Sequence, residues 1–253
     1  MAGLKLQAVT KSWDNGKTQI IQPLTLDVSD GEFIVMVGPS GCGKSTLLRM
    51  VAGLERVSSG DVWIDRQRVT DMEPKERGIA MVFQNYALYP HMSVEENMAW
   101  GLKIRGMGKA HIAERVKDAA RILELDGLLK RRPRELSGGQ RQRVAIARGL
   151  ILRPEVVIAD EITSALDVSV QAEILDLIAR LRSELSLTMV FISHNLAVVR
   201  QVCDEVVVLY RGEVVEHTST KDLFERPGHE YTRTLLNAVP GAPGFDIEPR
   251  EAA

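Results

Sequence analysis

The chain carries at residues 38–46 the stretch Gly38-Pro39-Ser40-Gly41-Cys42-Gly43-Lys44-Ser45-Thr46. It fits the spacing G-x-x-x-x-G-K-[ST] of a phosphate-binding P-loop. The apolar run at 32–37 predicts a buried strand before it, and residues 46–52 predict a helix after it. A strand, a glycine loop and a helix in this order direct backbone N–H groups at one anion. The flanks therefore favour a nucleoside triphosphate site over the alternative, a glycine-rich turn that binds nothing.

Two side chains of this loop have expected roles. Lys44 would reach the outer phosphates, and the hydroxyl of Ser45 would hold Mg²⁺. The whole stretch 38–46 is the predicted phosphate-binding set.

Composition sets outer limits on function. The 253-residue chain is 45% hydrophobic and 26% charged, as globular proteins are. Lys plus Arg (32) nearly balance Asp plus Glu (34), so no basic surface argues for nucleic acid as a partner. Cys42 and Cys203 form no disulfide framework or metal-ligand pattern, which favours a reducing compartment. We see neither a signal peptide nor an apolar run of about 20 residues, and expect any membrane link to go through a partner.

Apolar strand patterns alternate with helical ones over most of the chain, which predicts a parallel sheet covered on both faces. The expected strands after the P-loop helix lie at 62–65, 79–84, 156–160, 188–193 and 205–210. Residues 1–31 predict short strands around a turn at 14–17.

Helices predominate between Asn85 and Pro154, with capping signals at Ser93 and Ser137. We therefore expect one domain at 1–240, with a core at about 1–86 and 155–240 and a helical insert at about 87–154. The Pro- and Gly-rich tail, 241–253, is expected to be disordered.

The predicted strand at 156–159 ends in Asp160 and Glu161. In P-loop proteins, an acid at the end of such a strand lies on the Mg²⁺ side of the site. Ligands bind at the carboxyl ends of parallel strands, and Glu161 could polarise an attacking water there. The alternative is a strand-end turn with two solvated acids.

A second anion cradle is predicted at Leu136-Ser137-Gly138-Gly139-Gln140. Ser137 and Gln140 have the spacing of a capping box, and the glycines leave N–H groups of the first turn open. The alternative is a simple helix start. However, two glycines in a first turn cost about 1 kcal/mol each, which a purely structural cap would not need.

Together these motifs resemble the ATPase (nucleotide-binding) domain of ABC transporters, over almost the whole chain. Besides the P-loop, the matching stretches are the Q-loop Gln84, the signature Leu136–Gln140, Asp160-Glu161, the D-loop Ser164-Ala165-Leu166-Asp167, and Ile192-Ser193-His194. The resemblance implies a P-loop NTPase (RecA-like) α/β fold. An N-terminal antiparallel β subdomain and an inserted α-helical subdomain complete it.

The resemblance also implies how the site is assembled. Two copies would form a head-to-tail homodimer, with each ATP between one P-loop and the signature residues Ser137, Gly138, Gly139 and Gln140 of the other copy. Mg²⁺ would be held by Ser45, Gln84 and Asp160. Permease subunits in the membrane, and through them an extracytoplasmic solute-binding protein, would be the partners. The chain would then lie on the cytoplasmic face of the inner membrane.

Catalytic roles follow from the same resemblance. Glu161 would position the attacking water together with His194, Lys44 would bind phosphate, and Gln84 would link the site to the permease. Taken alone, a histidine after a buried strand is more often structural. Trp13 stands where the family has an aromatic residue that stacks on adenine, although ordinary packing explains a lone tryptophan equally well.

The two halves of the chain resemble different importer ATPases. Residues 1–147 are similar to those for sugars and glycerol 3-phosphate, through Met81–Val94. From Arg148 the chain is similar to dipeptide and oligopeptide importer ATPases, through 159–171 and 229–232. We therefore consider a chimera with a join after the signature, serving a glycerol-phosphate or sugar permease.

One residue departs from the family pattern. Ile162 replaces the usual proline after Glu161, which restores a backbone N–H and frees φ. No catalytic group is lost, so we expect hydrolysis to survive. Alternative functions are a peptide-importer ATPase, a soluble ABC ATPase acting on ribosomes or DNA, and a non-catalytic nucleotide-gated module.

Overall fold

A computed structural model describes residues 2–193 and 195–238 of the chain. Its strands are β1 (Leu4–Trp13), β2 (Thr18–Val28), β3 (Phe33–Val37), β4 (Ser59–Ile64), β5 (Gln67–Arg68), β6 (Ile79–Val82), β7 (Val156–Asp160), β8 (Thr188–Ile192), β9 (Glu205–Tyr210) and β10 (Glu213–Ser219). Its α-helices are α1 (Lys44–Val51), α2 (Val94–Ile104), α3 (Lys109–Ile122), α4 (Gly138–Leu150), α5 (Val168–Leu185), α6 (Leu196–Val202), α7 (Thr220–Glu225) and α8 (Glu230–Asn237).

The larger sheet has six strands in the order β10-β9-β3-β8-β7-β6. All of its pairings are parallel except that of β9 with β10. Every residue of β3 and β8 is buried, because helices cover one face and the smaller sheet with α1 covers the other. This confirms the predicted α/β class.

The expectation of burial on both faces is wrong for β6. It is an edge strand, and only its alternate residues Ala80 and Val82 are buried. These two lie against Gly149 of α4, whereas Ile79 and Met81 on the opposite face stay half-buried. The strand also ends at Val82, so Gln84 follows it in a loop.

The smaller sheet is antiparallel, in the order β2-β1-β4-β5. A 3₁₀ turn at Asp14–Gly16 connects β1 to β2, as the Asn-Gly signal predicted. Apolar residues of this sheet share a core with α1 and with one face of the larger sheet. The smaller sheet therefore holds the P-loop helix against the strands that carry the acidic residues.

Helices α2, α3 and α4 pack against one another, and α4 also contacts β6 and α5. The capping box predicted for α2 is present, since Ser93 accepts from the Glu96 N–H while Glu96 accepts from that of Ser93. The exact division into a core and an insert stays a prediction, and the predicted tail 241–253 lies outside the described residues. Among those residues, no helix combines the length and apolar character needed to cross a bilayer.

The loop after Gln84 is tied to α2 by one buried amide. Asn97 is fully buried, and its Oδ1 accepts from the Tyr89 N–H at 2.8 Å. Its Nδ2 donates to the carbonyl oxygens of Tyr89, Met92 and Ser93 at 3.0–3.2 Å. The side chain thus bonds the Tyr89 N–H and the Met92 carbonyl, and it adds a second bond to the carbonyls of Tyr89 and Ser93.

We predict that Asn97→Ala lowers the free energy of unfolding by about 2–3 kcal/mol, because the Tyr89 N–H and the Met92 carbonyl lose their bonds to this buried amide. Chemical denaturation measures the loss. Asn237→Ala, at the exposed end of α8, is the matched control and should change stability by less than about 0.5 kcal/mol. Equal stability of the two variants would contradict this role for Asn97.

Candidate functional site

The P-loop connects the buried strand β3 to α1, as predicted. Gly43 precedes the helix with a φ of 104°, and a Cβ there would collide with Ile21. Lys44 begins α1 and is 7% exposed. Its ammonium donates to the carbonyl oxygens of Gly38 and Pro39 at 2.8 and 2.9 Å. The loop therefore wraps around the ammonium of Lys44. A phosphate group bound in the loop could replace the two carbonyl groups as partners of this ammonium.

Ser45 and Asp160 are 115 positions apart in the chain but meet in the structure. The Ser45 hydroxyl donates to Asp160 Oδ1 at 3.2 Å. The sheet order explains the contact, because β3 and β7 flank β8 and their carboxyl ends face the same edge. A hydroxyl and a carboxylate side by side are a donor set that fits Mg²⁺.

Burial raises the pKa of the Asp160 carboxyl above its ordinary value. The hydrogen bond from Ser45 opposes this rise, and the neighbouring Glu161 carboxylate adds to it. Two acids are thus crowded at one strand end, where a cation would favour the ionised form of Asp160.

Glu161 occupies a strained position just after β7. Its φ of 50° lies in the left-handed region, which side-chain-bearing residues rarely adopt. Its N–H donates to the Ile192 carbonyl at 3.2 Å, and its own carbonyl accepts from the hydroxyl of Ser164 at 2.9 Å. A cavity of about 70 Å³ beside it, also lined by Thr163 and Gln171, is large enough for water.

Ile162 fits an apolar site. It is 3% exposed and packs in the core beneath the sheet edge, beside Val82 and Ile146. Its side chain therefore anchors the turn that carries Glu161.

Gln84 lies beside the D-loop. Its Nε2 donates to the hydroxyl of Ser164 at 3.1 Å, which in turn donates to the Glu161 carbonyl. The amide is thus engaged one step away from Glu161, and the role of Gln84 as a Mg²⁺ ligand with Ser45 and Asp160 stays a prediction.

Ser137 caps α4 as predicted. Its Oγ accepts from the Gln140 N–H at 3.2 Å, and Gln140 Oε1 accepts from the Ser137 N–H at 3.0 Å. Close packing, and not only open N–H groups, accounts for one of the two glycines. A Cβ on Gly139 would lie 2.6 Å from Val170 of α5, and one on Gly138 would lie 3.2 Å from Leu166 of the D-loop. Close packing alone therefore calls for glycine at 139.

Two predicted site residues stay apart from this cluster. Trp13 ends β1 with 42% of its surface exposed, and the ammonium of Lys11 lies 4.2 Å from its ring centroid. The ring is accessible, and its stacking on adenine stays a prediction. His194 lies outside the described residues.

The sequence reasoning missed Arg148. Its guanidinium donates to the Ala87 carbonyl at 2.6 Å and lies 5.6 Å from the Tyr89 ring centroid. It therefore ties the end of α4 to the loop after Gln84. The position of Arg148 directly after the apolar run Val144–Ala147 is the sequence feature that could have indicated this contact.

Comparison with known proteins agrees with this geometry. The ABC transporter family profile matches residues 21–164. An sn-glycerol-3-phosphate import ATP-binding protein, UgpC, from Salmonella choleraesuis is 62% identical over 247 residues, covering 98% of this chain and 68% of the relative. UgpC of Escherichia coli O1:K1 / APEC is 61% identical over the same coverage.

Solved structures are similar as well. The ATP-binding cassette MJ0796, as a dimer in a post-hydrolysis state bound to ADP and Pi, superposes with a TM-score of 0.77 at 32% identity. The match covers 86% of this chain and 98% of that one.

These findings do not support the chimera hypothesis. The similarity to UgpC covers 98% of the chain and so crosses residue 147, where the join was expected. The two short stretches after Arg148 that suggested peptide-importer ATPases do not outweigh it. Given the family match over more than half of the chain, and relatives that align along almost all of it, the chain belongs to the ABC transporter family, as one of its ATPase subunits.

Proposed function

We propose that this chain powers an importer of glycerol 3-phosphate or a related sugar-type solute, by hydrolysing ATP beneath partner permeases in the membrane. The observation that carries the ATPase chemistry is the meeting of Ser45 with Asp160 beside the P-loop, with Glu161 next in the chain. The identity to UgpC supports the class of solute.

ATP would bind with its phosphates in the P-loop. Lys44 would leave the carbonyl groups of Gly38 and Pro39 and donate to the outer phosphates, while the N-terminus of α1 faces the same charge. Ser45, Asp160 and Gln84 are the candidates to hold Mg²⁺, which would neutralise phosphate charge when bound. For Gln84, this requires release of its hydrogen bond to Ser164.

Glu161 is the proposed general base. Its place after β7 and the small polar cavity beside it suit a carboxylate that orients water for in-line attack on the γ-phosphate. His194 would assist. Lys44 and, from a second copy, Ser137 would stabilise the charge that develops.

The position of the signature supports a head-to-tail homodimer. Ser137–Gln140 begins α4, whose contacts are with α2, α3, α5 and β6, whereas α1 contacts β7. The signature and the P-loop thus belong to different parts of one subunit, and we propose that each completes the site of another copy.

An apolar patch on α2 and the loop before it is the proposed contact with the permease. Tyr89 and Trp100 are each 37% exposed with ring centroids 5.7 Å apart, and Ile104 is 68% exposed. An apolar patch of this kind is typical of protein interfaces. Through it the chain would lie on the cytoplasmic face of the membrane, and an extracytoplasmic binding protein would deliver the solute.

We predict that Glu161→Gln lowers the rate of ATP hydrolysis by about 10²-fold or more while ATP binding persists, because only the base is lost. Lys44→Ala should instead abolish ATP binding. Phosphate release and nucleotide titration measure the two effects. Hydrolysis by Glu161→Gln at the wild-type rate would contradict the proposal that Glu161 is the general base.

We further predict that the chain restores growth on glycerol 3-phosphate in cells that lack the corresponding importer ATPase. Trp100→Glu should abolish the rescue but leave ATP hydrolysis by the isolated chain unchanged. The reason is that the new charge would be buried only in the contact with the permease, and so would disrupt docking alone. Lys117→Glu, on α3, is the surface control. Rescue of a peptide importer, and not of this one, would overturn the assigned solute.

A further inference from the structure

Gln142 is a buried amide without hydrogen bonds. The residue is fully buried in α4, and within the described part of the chain neither its Oε1 nor its Nε2 has a partner. Asn97, equally buried, has all of its amide groups engaged. An orphaned amide costs stability, so a glutamine at this position calls for an explanation.

The geometry of α4 shows what Gln142 faces. At about 100° per residue, Gln142 and Gly149 lie within about 40° of Gly138 around the helix. A Cβ on Gly149 would lie 3.4 Å from Ala80 and 3.6 Å from Val82. One on Gly138 would lie 3.7 Å from the hydroxyl of Tyr86.

The segment from Ala80 to Tyr86 therefore runs along this side of α4 in the opposite direction. By interpolation between these contacts, Gln142 faces the stretch around residues 83–85, on the same side of α4 as Leu166 of the D-loop. The middle one of these is Gln84.

The facing loop has a strained backbone. Tyr86 and Ala87 have φ values of 61° and 47°, two consecutive left-handed residues other than glycine. Such strain persists only where surrounding contacts enforce it. Here Arg148 holds the Ala87 carbonyl, and Gln84 is held by Ser164.

We propose that Gln142 is a positioning residue for the loop that carries Gln84. When Gln84 leaves Ser164 for the nucleotide site, the backbone at 83–85 shifts and bonds to the Gln142 amide. The arrangement with ATP bound is thereby favoured, because it satisfies an amide that is unsatisfied without it. This inference rests on the proposed ATPase function.

The test is Gln142→Met, which keeps the size of the side chain and removes both polar groups. We expect kcat for ATP hydrolysis to fall about tenfold, with KM for ATP within about twofold, because the loop and not the P-loop is affected. The midpoint of chemical denaturation should stay unchanged or rise, since the variant removes an orphaned amide. A merely structural glutamine would leave kcat unchanged.

Trp63→Phe is the matched control. Trp63 in β4 also has a buried nitrogen without a partner in the described structure, but lies in the smaller sheet. It should leave kcat unchanged. Gln142→Leu serves as a second variant, with the same expected loss of kcat.

A double-mutant cycle with Gln84→Ala completes the experiment. Gln142→Met should have little further effect on kcat once Gln84 is gone, because the two act through one loop. The inference would be overturned if the double variant lost kcat by the product of the two single losses. It would also be overturned if both Gln142 variants kept the wild-type kcat. Absence of hydrolysis by the unaltered chain would instead count against the proposed function.

Discussion

The hydrogen bond between Ser45 and Asp160 depends on the strand order more than on any local feature. Because β8 lies between β3 and β7 and all three are parallel, the start of α1 and the end of β7 arrive at one edge of the sheet. Glu161, one residue further, is turned by a left-handed φ and anchored by the buried Ile162. A change in strand order would separate these groups, whatever the motifs in the sequence.

Helix α4 connects the remaining motifs. Its first turn packs on the D-loop and on α5 through Gly138 and Gly139, and its last turns hold the loop after Gln84 through Arg148. Gln84 in turn contacts Ser164 in the D-loop. The signature, the D-loop and the Q-loop are therefore packed as one contiguous group. A shift of any one of them would displace the others.

Local signals made the fold and much of the site predictable. The P-loop, both capping boxes and the buried strands are encoded in short stretches whose spacing reflects one turn of helix or the pleat of a strand. Features that depend on distant partners were not predictable. These include the exposure of one face of β6 and the bond from Arg148 to Ala87. The join expected near residue 147 rested on two short stretches, which full-length similarity outweighs.

Mixing two inactive variants tests most directly whether the site is shared between two copies. Lys44→Ala lacks a working P-loop and Ser137→Arg lacks a working signature, so each alone should fail to hydrolyse ATP. In a mixed head-to-tail dimer, one site combines the intact P-loop of one copy with the intact signature of the other. We expect equal mixing to restore up to about a quarter of the wild-type rate, because half of the dimers are mixed and each has one complete site. No recovery in mixtures of folded, dimerising variants would contradict the shared site.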